Sequence, residues 1–223
     1  MKRILFLCST LIASCLLVQA QDDYHKLEFF GGYSLLNFDN ASDDASNPEV
    51  SLILGRKQRM QGLNAAITYN FRKYWGAKFD YSLHLREDNF VRPLASGTTD
   101  RSVQNFLFGI QVKNNLVDGP RLKPFGHGLM GVGHQKIDID SPQLPLILGV
   151  NDFSIKETSV AWAFGGGVDL KINDRFDARL GQVDWNIIKR GGQQIIGITP
   201  GQTISVPSEV QNNLRFSVGI VIH

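Results

Sequence analysis

Ser82 and His84 come nearest to a catalytic arrangement in this 223-residue chain, a hydroxyl and an imidazole on one face of an alternating segment. Two residues along a strand are about 7 Å apart, too far for the hydrogen bond that would activate a serine. The run Gly126-His-Gly-Leu-Met-Gly131 matches a dinucleotide fingerprint letter by letter. That fingerprint needs a helix after it to hold the pyrophosphate, whereas Val132, Gly133 and His134 lead into a polar stretch. The glycines are better explained by strands whose backbones approach closely. His25, His84, His127, His134 and His223 show no helical ligand spacing, so no metal site is expected. Asp39, Asp43 and Asp44, with Asn40 and Asn47, lack the turn glycine of a calcium loop. No catalytic residue, cofactor or metal ligand is expected; the chain reads as non-enzymatic.

A different set of polar residues carries more information. Glu28, Lys78, Asp80, Asp169, Lys171, Asp177, Arg179 and Arg215 share the faces of their segments with glycine, alanine and serine. Charges on an enclosed face must pair, because one left alone costs several kcal/mol. A paired network through an interior would give either a sealed polar core or a gated narrow pore. Eight strands enclose a space just wide enough for side chains, which favours the seal.

The elements that would position these residues follow from alternation. At the C-terminal end Leu214, Phe216, Val218, Ile220 and Ile222 point one way, and Arg215, Ser217, Gly219 and His223 the other. The same pattern recurs over 27–38, 62–72, 74–86, 102–113, 122–135, 159–171 and in a segment beginning at Phe176, giving eight strands. The fifth is glycine-rich and its faces cannot be assigned. In the seventh, Phe176, Ala178 and Leu180 are followed by Val183, Trp185 and Ile187, so the parity slips and predicts a bulge near Gly181. Ten to thirteen residues suit a tilted membrane-spanning strand.

Connections alternate in length: 39–61, 87–101, 136–158 and 188–210 are long, and 72–74, 114–121 and 172–175 are short. This order predicts an all-β fold, an eight-stranded antiparallel up-and-down transmembrane barrel with long outer loops and short periplasmic turns. A soluble barrel would reverse the polarity, with apolar side chains inside. An added hairpin within 188–210 would give ten strands and a wider bore. The segments 144–148 and 194–198 are apolar for loops and are predicted to continue as strands or to meet a partner.

Residues 1–20 read as a signal peptide, with Lys2 and Arg3, an apolar run, and a small-residue site for cleavage after Ala20. Lipidation at Cys15 is the alternative. Cys8 and Cys15 both fall inside this leader, which excludes a disulfide scaffold and thiolate chemistry from residues 21–223. Losing Lys2 and Arg3 leaves 21 basic residues against 21 acidic ones, which gives no electrostatic case for nucleic acid.

Four stretches, Leu27-Glu-Phe-Phe-Gly-Gly-Tyr-Ser34, Lys123-Pro-Phe-Gly-His-Gly-Leu-Met-Gly-Val-Gly133, Arg179-Leu-Gly-Gln-Val-Asp-Trp185 and Gln211-Asn-Asn-Leu-Arg-Phe-Ser-Val-Gly-Ile220, resemble the small outer-membrane barrels of the OmpA-like and OmpX-like porin families. The resemblance covers 21–223 and implies an outer-membrane location, with the lipid bilayer and the barrel-assembly machinery as partners. It departs at Ile222-His223, where that family usually ends in an aromatic residue. The function it implies is a structural or surface-interaction role, with an extracellular partner reached through loops 39–61, 87–101, 136–158 and 188–210. The alternative is a narrow porin-like channel for small solutes.

Overall fold

The computed structural model describes residues 23–38, 58–92, 95–140, 153–191, 193–196, 203–206 and 208–223. The leader 1–20 and the stretch 144–148 therefore lie outside the described residues. The strands are β1 (Leu27–Phe38), β2 (Gln58–Asn70), β3 (Trp75–Arg92), β4 (Ala95–Lys113), β5 (Leu122–Asp140), β6 (Phe153–Lys171), β7 (Phe176–Arg190), β8 (Gln193–Ile196), β9 (Thr203–Val206) and β10 (Glu209–Ile222). Eight of them close a barrel in the order β1-β10-β7-β6-β5-β4-β3-β2, every pair antiparallel. β8 and β9 form a separate two-stranded sheet. The ten-strand alternative is thereby corrected: the hairpin in 188–210 exists but stays out of the wall, because β7 pairs directly with β10.

Alternation is realised with the apolar side outward. Leu63, Phe108, Met130 and Trp185 are more than half exposed, whereas Asn64, Lys78, Asp80, Asp184 and Arg215 are buried. Such an apolar coat would be a liability in water and is at home in hydrocarbon. The glycine-rich β5 obeys the same rule, with Lys123, Phe125, His127 and Leu129 inward and Leu122, Met130 and Val132 outward. Small residues at 126, 128 and 131 had hidden that parity.

In β7 the pairing with β6 jumps from Val168↔Gly181 to Asp169↔Arg179, which leaves Leu180 as the extra residue. This is the bulge expected beside Gly181. It lets Arg179 and Gln182, three apart in sequence, both face the interior.

The wall is uneven in height. β4, β5 and β6 each have 19 residues, roughly 60 Å along the strand, whereas the 12 residues of β1 cover roughly 40 Å. The loop limits read from the sequence are corrected accordingly. Segment 87–101 is largely strand, since β3 and β4 stay paired up to Arg92↔Ala95, and β5 and β6 pair up to Ile139↔Phe153 within 136–158. Above the apolar belt the outward face carries exposed polar residues such as Glu87 and Asp100 while the inward face buries Thr99, Arg101, Gln135 and Glu157, so polar residues stand on both faces and no apolar alternation marks the strands there. β2, by contrast, leaves β3 after Gln61↔Leu85 while remaining paired with β1 to Phe38↔Gln58.

At the opposite end the turns are short, and residues 23–26 fold across the opening. The Val117 amide donates to Asp23 O and the His25 amide to Asn115 O, at 3.1 and 3.0 Å.

Candidate functional site

The barrel interior gathers the chain's chemistry. Alternation places an inward side chain every second residue, and short cross-strand spacings bring these groups into hydrogen-bonding range. Starting near the turns, Lys113 of β4 reaches Glu28 of β1 at 2.6 Å and Asp169 of β6 at 3.2 Å. Arg179 donates to both oxygens of Asp169, through Nε at 2.8 Å and Nη2 at 3.0 Å. Its guanidinium also lies between the rings of Phe30 and Phe125, 4.3 and 4.1 Å from their centroids.

The chain of contacts continues upward. Arg179 Nη1 donates to Gln182 Oε1, and Gln182 Nε2 to Asp184 Oδ2, both at 2.7 Å. Arg215 of β10 then bridges two carboxylates, donating to Asp184 Oδ2 (2.9 Å from Nε) and to Asp80 Oδ1 (2.7 Å from Nη1). Asn64 donates to Asp80 at 3.0 Å, His127 Nε2 lies 2.9 Å from Asp184 Oδ1, and Lys78 Nζ lies 3.9 Å from Asp80. At the floor, Asp177 meets Lys123 at 3.2 Å and His223 at 2.9 Å, and the His223 ring stacks on His25 with centroids 4.0 Å apart.

The interior therefore brings together Glu28, Lys78, Asp80, Asp169, Asp177, Arg179 and Arg215 of the expected set. Lys171 sits instead at the turn-end rim, bonded to Val117 O at 2.7 Å and paired with Asp174. Four members escaped the sequence reading. Lys113 was on a polar face but unremarked, Asp184 lay beyond the parity slip, and Lys123 and His127 belong to the strand whose faces could not be assigned. With them, Lys78, Lys113, Lys123, Arg179 and Arg215 face Glu28, Asp80, Asp169, Asp177 and Asp184, a neutral set of strong charges. Gly165 is needed beside it: a Cβ there would fall 2.1 Å from Asp184 Oδ1 and 2.4 Å from Val183 O.

Beside the charges lies a group of hydroxyls. His84 bonds Ser34 Oγ at 2.9 Å, and Ser34 Oγ lies 3.0 Å from Ser217 Oγ. His84 thus finds Ser34 rather than Ser82, and Ser82 accepts from Asn105 at 3.3 Å. All of these side chains are enclosed at 0 % exposure. Beside these groups, Leu36, Phe38, Met60, Val103, Leu107, Leu129, Ala161, Ala163 and Ile188 pack into one apolar cluster inside the barrel, with Leu107 opposite Asp80 and Val103 opposite His84 across the β3–β4 pair. Sequence reasoning missed this cluster, because an apolar residue on the inward face does not mark itself against an apolar outward face.

Among the described residues, no group of three or more His, Cys, Asp or Glu side chains could hold a metal ion. Outside the membrane belt, the Asp88 carboxyl is held below the usual carboxylate range by hydrogen bonds from Arg86, at 2.6 and 2.7 Å.

A closed antiparallel barrel with an apolar exterior and a charged, hydrogen-bonded interior defines a transmembrane β-barrel. The sequence profile of the outer membrane protein beta-barrel domain matches residues 6–214, and the chain belongs to that family of the outer membrane. No curated protein matches its sequence. Among solved structures it is similar to Ail of Yersinia pestis, in complex with the heparin analogue sucrose octasulfate. There the TM-score is 0.51 at 14% identity, over 88% of this chain and 97% of that one. The outer membrane protein OprG from Pseudomonas aeruginosa gives 0.52 at 14% identity, over 91% and 98%. Neisserial surface protein A gives 0.51 at 9% identity, over 90% and 99%. At these identities the likeness is one of fold.

Proposed function

We propose that this protein is a non-enzymatic, non-conducting barrel whose role is structural and surface-directed. The observation that carries this reading is the filling of the interior by a neutral ion-pair network packed beside an apolar cluster. An ion crossing the interior would have to displace matched partners and pass packed hydrocarbon side chains. The Ser34–His84 contact is fully enclosed, out of reach of a substrate, which argues against hydrolysis.

In this reading residues 1–20 are removed after Ala20 and the barrel-assembly machinery inserts the chain. The tall β3–β6 side and the connections at that end face outward to meet an extracellular partner. Planar-bilayer recording of the purified protein tests the closure: no steady conductance is expected. Sustained single-channel steps would favour the narrow porin-like alternative. Protease treatment of intact cells tests the topology. Cuts are expected within the long connections 39–61, 87–101, 136–158 or 188–210, and cleavage confined to the turns at 72–74, 114–121 and 172–175 would invert it.

A further inference from the structure

The cations at the two ends of the barrel keep different company. Around the gap where β2 and β3 part, Arg59, Arg86, Arg101 and Lys136 meet Glu87, Asp88, Asp100 and Asp138, so charge is balanced there. The short turns are different. The β2–β3 turn carries Arg72 and Lys73 side by side, with no acid between Phe71 and Trp75. Arg121 immediately precedes β5, and Arg175 immediately precedes β7. All four are exposed, and among the described residues none of their side chains has a hydrogen-bond or ion-pair partner. Lys171, by contrast, is matched with Asp174. Two further exposed acids, Asp23 and Asp118, sit where the 23–26 segment crosses the opening, since Val117 N donates to Asp23 O. Four unmatched cations against these two carboxylates leave the described turn end positive.

Each free cation adjoins an exposed apolar side chain that ends the lipid-facing belt. Phe71, Tyr74 and Trp75 flank Arg72 and Lys73, and all three are nearly half exposed. Leu122 follows Arg121, and Phe176 follows Arg175. The main chain fixes the β2–β3 turn without using its charges. Phe71 N and Arg72 N donate to Trp75 O at 3.1 and 3.2 Å, Lys113 N to Tyr74 O at 3.1 Å, and Asn115 N to Lys73 O at 3.0 Å. Aromatic girdles mark the boundary between hydrocarbon and head groups. A cation one residue beyond such a ring therefore stands at the depth of lipid phosphate, and its long stem can lie along the apolar surface. Arginine and lysine both donate charge-assisted hydrogen bonds to phosphate oxygens.

We propose that the turn end binds anionic phospholipids of the leaflet it meets, with Arg72 and Lys73 of the β2–β3 turn holding a head-group phosphate and Arg121 and Arg175 making the same contact at the other two turns. A lipid is favoured over a soluble anion because every one of these cations is continuous in sequence with the surface that faces hydrocarbon.

The test uses the full barrel with Trp162→Phe and Trp185→Phe, which leaves Trp75 beside the turn, reconstituted in phosphatidylcholine vesicles. Fluorescence quenching is titrated with brominated phosphatidylglycerol and with brominated phosphatidylcholine of the same chains. Phosphatidylglycerol is expected to quench at a roughly fivefold lower mole fraction, the effect of one basic residue near an anionic surface. Arg72→Gln with Lys73→Gln, exposed side chains that no fold contact uses, should abolish the difference. A companion barrel that keeps only Trp185, well along β7 from its turn, should show no preference. Equal quenching of Trp75 by the two lipids would overturn the proposal, as would a preference that survives the double substitution or one equally large at Trp185. Loss of the preference in millimolar inorganic phosphate, but not in sodium chloride of equal ionic strength, would show a soluble-anion site and overturn the assignment to a lipid.

Discussion

Arg215→Gln is the most informative single perturbation of the interior. The guanidinium is fully enclosed and bridges Asp80 and Asp184 at 2.7 Å each. Removing one member of a buried pair costs about 3–5 kcal/mol, because the remaining charge stays desolvated. The two carboxylates do not suffer equally. Asp184 keeps Gln182 at 2.7 Å and His127 at 2.9 Å, whereas Asp80 keeps Asn64 at 3.0 Å and Lys78 at 3.9 Å. Asp80→Asn should therefore rescue Arg215→Gln more fully than Asp184→Asn does, and the triple substitution should recover most of the loss. The assay is equilibrium urea unfolding in lipid vesicles, followed by tryptophan emission, since Trp75 and Trp185 face outward and report loss of the lipid contact. A loss below about 1 kcal/mol, the worth of an exposed ion pair, would refute the reasoning and mean that water reaches the network.

Gly165→Ala should destabilise by about 1–3 kcal/mol, because its Cβ meets Asp184 and the Val183 carbonyl, and an unchanged urea midpoint would contradict the packing. Leu107→Ala, inside the apolar cluster, should cost about 2–5 kcal/mol; a negligible cost would mean the cluster is not closely packed. Phe79→Arg, in the middle of the lipid-facing belt, should cost about 2–4 kcal/mol and Leu85→Arg at its upper edge about 0–1 kcal/mol, so equal penalties would misplace the membrane. The Arg86–Asp88 pair holds the folded carboxyl below its unfolded value of about 3.9, so its stabilisation is present above that pH and fades as pH falls through the lowered value. Asp88→Asn should accordingly differ from the parent at pH 7 and converge with it once the pH has fallen below the lowered value; a constant difference would exclude the pair as the cause.

What could be read in advance followed from the environment each face meets. Lipid demands apolar side chains at every second position, so Leu63, Ile67 and Tyr69 declared β2 without help from tertiary structure. Where the demand lapses, so does legibility. Glu87 to Arg92 looked like a loop because the stretch carries no apolar alternation. Leu36, Leu107 and Ile188 were invisible as a cluster because hydrocarbon on one face and a packed interior on the other ask for the same residue type. Lys123 and His127 were obscured by the glycines at 126, 128, 131 and 133 of their strand. Most of the interior charges could be named one by one, but their partners could not, since Asp80 and Arg215 stand 135 positions apart.

The order in which the chain supplies its charges bears on assembly. Asp80 and Asp184 belong to β3 and β7, whereas the guanidinium that bridges them, and brings the set to neutrality, arrives on β10. A sheet that has folded through β7 but not yet acquired its last ribbon holds two carboxylates with their counter-ion still outside. Ring closure and charge balance are thus a single event, and a truncated or mispaired final segment leaves an intermediate that electrostatics itself marks as unfinished.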